Sequence, residues 1–178
     1  MIANAANMLT LLRILLVPLF LYLVLNDISF WSMAVFAVAG LTDFFDGFLA
    51  KRFDMKTELG ANLDPVADKL LLSSAFFALA FKGYAPLWLC VPVVIYDFMI
   101  LAAVMVLRGA GKKVDISPSV AGKATTALQI MTVFYALARP NDRAFFLVAA
   151  ITVSVTAYSG FSYAMREIRR IVGRPDMD

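Results

Sequence analysis

The sequence predicts an all-α fold, an integral membrane bundle of six transmembrane helices with both termini on the cytoplasmic side. Three observations predict it. Hydrophobic residues make up 62% of the 178 residues, charged ones only 16%, and the mean hydropathy is +0.81. A soluble domain of this length has too much surface for its volume to hide so many apolar side chains. Six apolar segments come near the roughly 20 helical residues that cross a bilayer core. The basic residues gather at alternate breaks between those segments, as the positive-inside rule requires.

The first segment, Leu9–Leu25, lacks a basic opening and a small-residue cleavage site, so it reads as a retained span and not a removable leader. The others are Phe30–Ala50, Leu63–Phe81, Pro86–Leu107, Ser119–Leu137 and Ala144–Met165. Between them lie the breaks Asn26-Asp27, Lys51–Leu59, Lys82-Gly83, Arg108–Pro118 and Arg139–Arg143. With loops this short the helices form one bundle of antiparallel neighbours, a single domain over residues 1–178. Lys51, Arg52, Lys56, Arg108, Lys112, Lys113, Arg166, Arg169, Arg170 and Arg174 fall on one side, whereas Lys82, Arg139 and Arg143 fall on the other. The first side is the cytoplasmic one. Residues 166–178 form a basic tail suited to anionic lipid. Trp31, Trp88, Tyr84 and Tyr158, near span ends, read as interfacial belt residues.

Cys90 is the only cysteine and lies in an apolar stretch, so it reads as packing. There is no histidine, which removes imidazole acid–base chemistry and His metal sites. A metal bound here is held by oxygen, favouring Mg²⁺, Mn²⁺ or Ca²⁺.

Carboxylates within membrane segments are costly and point to function. Asp43 and Asp46 stand at the cytoplasmic end of the second segment, and Asp64 and Asp68 at the start of the third. Spacings of three and four put each pair on one face of its helix. On neighbouring antiparallel helices the four carboxylates can converge, and two divalent cations would remove their mutual repulsion. The bland alternative is that they cap helices or pair with Lys51, Arg52 and Lys69; Asp64 before Pro65 resembles an N-cap. Gly47, Ala50 and Gly60 leave room for a close approach, Gly47 being read as space for a nucleotide. Gly40 reads as helix packing.

The stretch Asp43 to Asp68 reads D-F-F-D-G-F-L-A-K-R-F-D-M-K-T-E-L-G-A-N-L-D-P-V-A-D. It resembles the signature of the CDP-alcohol phosphatidyltransferases, D-x2-D-G-x2-A-R-x8-G-x3-D-x3-D. Every position matches except the arginine, replaced by Lys51 and followed by Arg52. Asn7-Met8-Leu9-Thr10-Leu11-Leu12-Arg13 with Pro18, Leu63–Leu71, and Gly122-Lys123-Ala124-Thr125-Thr126 with Gln129 are similar to the bacterial phosphatidylglycerophosphate synthase branch. That branch usually carries Arg-Glu or Arg-Asp where this chain has Tyr96-Asp97. The Arg-Asp form, with a stretch like Pro118–Lys123, also occurs in CMP-forming cardiolipin synthases.

The resemblance implies a reaction and roles. The reaction is transfer of the phosphatidyl group of CDP-diacylglycerol to an alcohol with release of CMP. The first acceptor is glycerol 3-phosphate, and phosphatidylglycerol is the alternative. Asp43, Asp46, Asp64 and Asp68 hold two Mg²⁺ or Mn²⁺ ions, and Asp68 is also the base. Asn7, Thr10, Arg13, Gly47, Ala50, Lys51 and Gly60 border the nucleotide. Arg108, Lys112, Lys113 and Lys123 are the acceptor-binding candidates, Lys123 because it sits inside an apolar segment, and Asp97 and Asp115 are possible partners for them. A homodimer in the bacterial inner membrane, with its active site facing the cytoplasm, is expected. Two rivals are weighed. A membrane prenyltransferase needs a larger bundle and more widely separated motifs. A cation transporter or channel would carry polar residues onward across the bilayer, which the sequence does not suggest.

Overall fold

A computed structural model of the chain describes residues 2–53, 58–109, 120–138 and 143–172, with the side chains of 2–7, 9, 10, 43–53, 58–66, 68, 104, 106–109, 120 and 166–172 left outside the description. The described residues form six α-helices and no strand: α1 Ile2–Leu25, α2 Ser29–Phe53, α3 Glu58–Phe81, α4 Leu87–Gly109, α5 Val120–Leu137 and α6 Arg143–Val172.

Besides α1, which begins at Ile2 where the sequence expectation began at Leu9, three boundaries near charged residues differ from the sequence expectation. First, α2 continues through Lys51 and Arg52 to Phe53, so these residues are helical and not part of a loop. Second, α3 begins at Glu58, which places Asp64 and Pro65 inside the helix. The N-cap reading of Asp64 therefore fails, because an N-cap precedes the first helical turn. Third, α6 runs on to Val172, so Arg166, Arg169 and Arg170 extend a helix. In each case a charged residue with good helix propensity prolongs the apolar run past the point where hydropathy alone would end it.

The turns at the opposite end are closed by one device used twice. After α1, the Asp27 N–H donates to Val24 and the Ile28 N–H to Leu23; after α3, Gly83 donates to Ala80 and Tyr84 to Leu79. These are Schellman bond pairs, which need a left-handed residue just past the helix. Asp27 (φ 63°) and Gly83 (φ 69°) fill those positions. Glycine does so freely, and aspartate is among the few other residues that tolerate it. The two turns are clasped to each other. Lys82 Nζ donates to Asp27 Oδ2 at 2.7 Å and to the Leu25 carbonyl at 3.1 Å, and the Tyr84 hydroxyl donates to Asp27 Oδ1.

α3 is central, packing against α1, α4 and α5. α1 also packs on α2, α2 on α5, and α6 on α4 and α5. Leu71, Leu72, Ala75, Phe76, Ala78 and Leu79 of α3 are all buried in one core with Phe20, Phe36, Leu89, Val133 and Phe145. Cys90 belongs to that core, as its sequence context predicted.

Large apolar side chains are exposed on the bundle surface while several polar and charged ones lie inside beside the apolar core. Phe30, Phe77, Phe81, Leu15 and Ile95 are more than 60% exposed, while Arg13, Asp97, Gln129, Thr132 and Thr152 are fully buried. Among the described residues one helix segment, Arg143–Met165, has the length and apolarity to cross a membrane; Leu11–Leu25, Ser29–Thr42, Lys69–Phe81 and Leu87–Ala103 are shorter apolar runs. Trp31, Trp88 and Tyr158 are exposed, and Tyr84 is held in the clasp.

Candidate active site

α2 and α3 meet across a cavity. Phe36, Ala37, Gly40 and Leu41 of α2, Leu71 and Leu72 of α3, and Thr126, Ile130 and Phe134 of α5 enclose about 370 Å³. Thr126 is the one polar side chain among the described lining residues. Phe36 stacks edge-on against Phe134 at 5.3 Å and tilts against Phe20 at 5.5 Å, which braces one wall. Gly40 borders this space: a Cβ built there meets nothing within 4 Å. The expectation that Gly40 serves helix packing is thereby corrected. Among the described residues no atom of a neighbouring helix comes within 4 Å of that Cβ, and the missing side chain leaves the cavity open.

The acidic motif stands at one end of that cavity. Position 43 lies one turn beyond Gly40 on α2, and position 68 one turn before Leu71 and Leu72 on α3. Because the helices run in opposite directions, both steps lead toward the same end. Asp46 and Asp64 lie one further turn along in each case. The side chains of Asp43, Asp46, Asp64 and Asp68 are outside the described residues, and among the described residues no group of three acidic, His or Cys side chains is placed to hold a metal. The donor set offered by the two helices is four carboxylates with no nitrogen or sulfur, a set that fits a hard divalent cation.

The nucleotide-side candidates divide in the same way. Asn7, Thr10 and Arg13 recur every three residues on α1, the helix that packs against both α2 and α3. Arg13 is the largest fully buried side chain described. A guanidinium buried there is tolerable only beside anionic or acceptor groups, and α1's two neighbours carry the aspartates. Gly47, Ala50 and Lys51 are on α2 and Gly60 on the first turn of α3; their surroundings, like the side chains of Asn7 and Thr10, are outside the described residues.

Among acceptor-side candidates, Arg108 is at the end of α4, its side chain outside the description, and Lys112, Lys113 and Asp115 lie wholly outside it. Lys123 is exposed in the first turn of α5. The sequence reading placed it inside an apolar segment. The described helix opens at Val120, one residue from the expected Ser119, and within it the Lys123 side chain is exposed.

Sequence reasoning missed a buried polar file. Thr125, Gln129 and Thr132 on α5 and Thr152, Thr156 and Ser159 on α6 share the spacing i, i+4, i+7, and all six are at most 3% exposed. Thr132 and Thr152 bridge the helices at 2.7 Å, and the Tyr96 hydroxyl of α4 lies 2.9 Å from Ser159 Oγ. The matched spacing of polar residues in two apolar segments was the available signal. Polar groups therefore do continue along the bundle interior, contrary to the reason given against a transporter. Most of these hydroxyls are occupied in bonds to their own helix: Thr125 to Ala121, Thr132 to Leu128 and Thr152 to Val148.

Also unforeseen was the partner of Lys69. Its Nζ donates to Asp97 Oδ1 at 2.8 Å, with the Lys69 side chain 15% exposed and that of Asp97 fully buried. Gln129 approaches the same carboxylate. Among the described residues, neither its amide atoms nor Asp97 Oδ2 meets strict hydrogen-bond geometry.

Comparison with known proteins agrees with the geometry. Residues 3–158 match the family model of the CDP-alcohol phosphatidyltransferases. The chain belongs to that family. It is 37% identical to a probable phosphatidylglycerophosphate synthase of Mycobacterium tuberculosis, over 97% of this chain and 85% of that protein. It is 35% identical to the CDP-diacylglycerol–glycerol-3-phosphate 3-phosphatidyltransferase of Escherichia coli, over 90% of this chain and 92% of that protein.

Proposed function

We propose that this CDP-alcohol phosphatidyltransferase is a membrane-spanning enzyme that transfers the phosphatidyl group of CDP-diacylglycerol to glycerol 3-phosphate, releasing CMP. The carrying observation is the juxtaposition of the acidic motif with an apolar cavity. A lipid diphosphate needs charge neutralisation next to apolar space, and α2 and α3 offer both within one helical turn. The name of the Escherichia coli relative, a CDP-diacylglycerol–glycerol-3-phosphate 3-phosphatidyltransferase, carries the same donor and acceptor. The exposed apolar belt, the buried polar interior and the one-sided basic residues support a bundle in the membrane with its termini and acidic end at the cytoplasm.

The carboxylates of Asp43, Asp46, Asp64 and Asp68 would hold two Mg²⁺ or Mn²⁺ ions. Such ions, when bound, neutralise the diphosphate and the charge growing on the leaving group. Asp68 accepts the proton of the acceptor hydroxyl as its oxygen attacks the lipid-side phosphorus. The bond from that phosphorus to the bridging oxygen breaks, and CMP carries the oxygen away. Gly47, Ala50 and Gly60 leave the backbone open to cytidine and ribose, with Asn7, Thr10, Arg13 and Lys51 bordering them. Arg108, Lys112, Lys113 and Lys123 supply the cationic cytoplasmic rim for an anionic acceptor.

A second acceptor has an observation in its favour. Tyr96 stands where the resembling branch carries arginine, and its ring is docked against α6 at Gly160 with its hydroxyl bonded to Ser159. The fourth helix thus offers no cation at that position, which suits phosphatidylglycerol as acceptor better than a phosphomonoester. Incubating the purified enzyme with CDP-diacylglycerol and one acceptor at a time separates the readings. CMP release with glycerol 3-phosphate and a phosphatidylglycerophosphate product is expected. Turnover confined to phosphatidylglycerol would replace the first acceptor by the second, and CMP release with neither would refute the reaction class.

A further inference from the structure

The cavity between α2, α3 and α5 has a direction. Thr126, Ile130 and Phe134 follow one another at about one turn each along α5 and line it from end to end. One end is closed by rings from three helices: Phe134 of α5 stands edge-on to Phe36 of α2 at 5.3 Å, and Phe36 tilts against Phe20 of α1 at 5.5 Å. Phe36 is one turn from Gly40 in the direction away from position 43. The rings therefore lie at the end remote from the acidic motif, and Thr126 at the near end. Along its flank the cavity is open, since Ala37, Gly40 and Ile130 are only half-buried and Leu41 is 55% exposed.

Shape and chemistry suit one occupant. The described lining offers a single hydroxyl and otherwise hydrocarbon, which matches an acyl chain and leaves polar parts of a substrate without partners. From Thr126 to Phe134 the helical rise covers about 12 Å. A chain of palmitoyl length reaches about 15 Å, half the hydrocarbon core of a bilayer, and one of octanoyl length about half of that. The shorter chain ends before the rings. The longer one meets them and has to turn aside through the open flank.

We propose that the Phe36–Phe134 pair is the floor of a slot for one acyl chain of the lipid donor and determines the enzyme's chain-length selectivity. The inference rests on the reading of the donor as CDP-diacylglycerol, its diphosphate at the acidic end and one chain running from Thr126 toward the rings. Trimming Phe134 lowers the floor. Enlarging Ile130, one turn nearer the mouth, raises it. Two substitutions on one face of α5 thus push selectivity in opposite directions, which a general loosening of the bundle would not do.

The test is a competition between equimolar dioctanoyl and dipalmitoyl CDP-diacylglycerol in detergent micelles, using the full-length enzyme with both glycerol 3-phosphate and phosphatidylglycerol present. Consumption of each donor at low conversion is read by mass spectrometry. Each variant's ratio is divided by that of the wild type, which cancels the different partitioning of the two donors. Phe134→Ala is expected to shift the ratio toward dipalmitoyl at least about threefold, and Ile130→Phe toward dioctanoyl by as much. These shifts are smaller than the roughly tenfold that one misfitting methylene costs in a closed pocket, because the open flank gives the chain a way out. Phe134→Leu, which removes the ring and keeps an apolar side chain in place, is expected to act in the same direction and serves if Phe134→Ala does not fold. Unchanged ratios in both variants would overturn the proposal and leave the slot to bulk lipid or detergent, and so would shifts of both in one direction. Consumption of neither donor by the wild type would overturn the donor reading and the proposal with it, an outcome distinct from the other two.

Discussion

Gly40 shows how much rests on one missing side chain. Because a Cβ there meets no atom within 4 Å and the residue borders the cavity, a larger side chain enters the cavity without displacing a neighbouring helix. Gly40→Leu is therefore expected to fold and to raise KM for a long-chain CDP-diacylglycerol about tenfold, a loss on the order of 1.4 kcal/mol in binding. A dioctanoyl donor should be affected less, and equal KM values for both donors in wild type and variant would place the acyl chain elsewhere. Gly160 is the opposite case. Its Cβ would lie 3.1 Å from the Tyr96 ring, so Gly160→Val overpacks α4 against α6. A destabilisation of about 1–3 kcal/mol is expected by thermal melting in detergent, with partial recovery when Tyr96 is reduced to Leu. Asp68→Asn keeps a side chain of the same size and loses the proton acceptor. It should leave folding intact and lower kcat by about 10² or more, and undiminished turnover would remove Asp68 from the role of base.

Pairs of helices are joined by polar contacts that hydropathy does not reveal. α5 and α6 carry the same i, i+4, i+7 polar spacing, and antiparallel packing brings Thr132 to within 2.7 Å of Thr152. Each hydroxyl has one proton, for which its own helix carbonyl competes, so at most one of the two donates across and the interhelical part is small, about 0.6 kcal/mol by the usual measure for such contacts. A double-mutant cycle of Thr132→Val and Thr152→Val reads that coupling directly. At the other end, the clasp of Lys82 and Tyr84 on Asp27 joins the α1–α2 turn to the α3–α4 turn. Asp27→Gly removes the clasp while easing the left-handed backbone at φ 63°, so the two effects oppose each other. The net change is expected to stay within about 1 kcal/mol, because the pair is exposed; Asp27→Ala, which loses both, should be the less stable of the two in chemical denaturation.

For the bundle as one molecule the prediction concerns divalent ions. Excess chelator should abolish CMP release, and Mg²⁺ or Mn²⁺ should restore it without refolding; full activity in chelator would end the metal reading. Much of this whole was legible beforehand because it is written in local patterns. The six helices follow from apolar length, and the acidic motif from spacings that one helical face satisfies. The reaction class followed from a motif with a fixed gap between Ala50 and Gly60, which family membership bears out. Other features were invisible because they join residues far apart in the chain. Lys69 was within reach of several carboxylates along the sequence, and only the packing of α3 on α4 presents Asp97 to it across 28 residues. Gly40 looked like any small residue of a helix interface until α5 was seen to stand off from α2 there. Local periodicity dictates which face a residue occupies, whereas the partner on that face, or the space left in place of one, is decided when the helices pack.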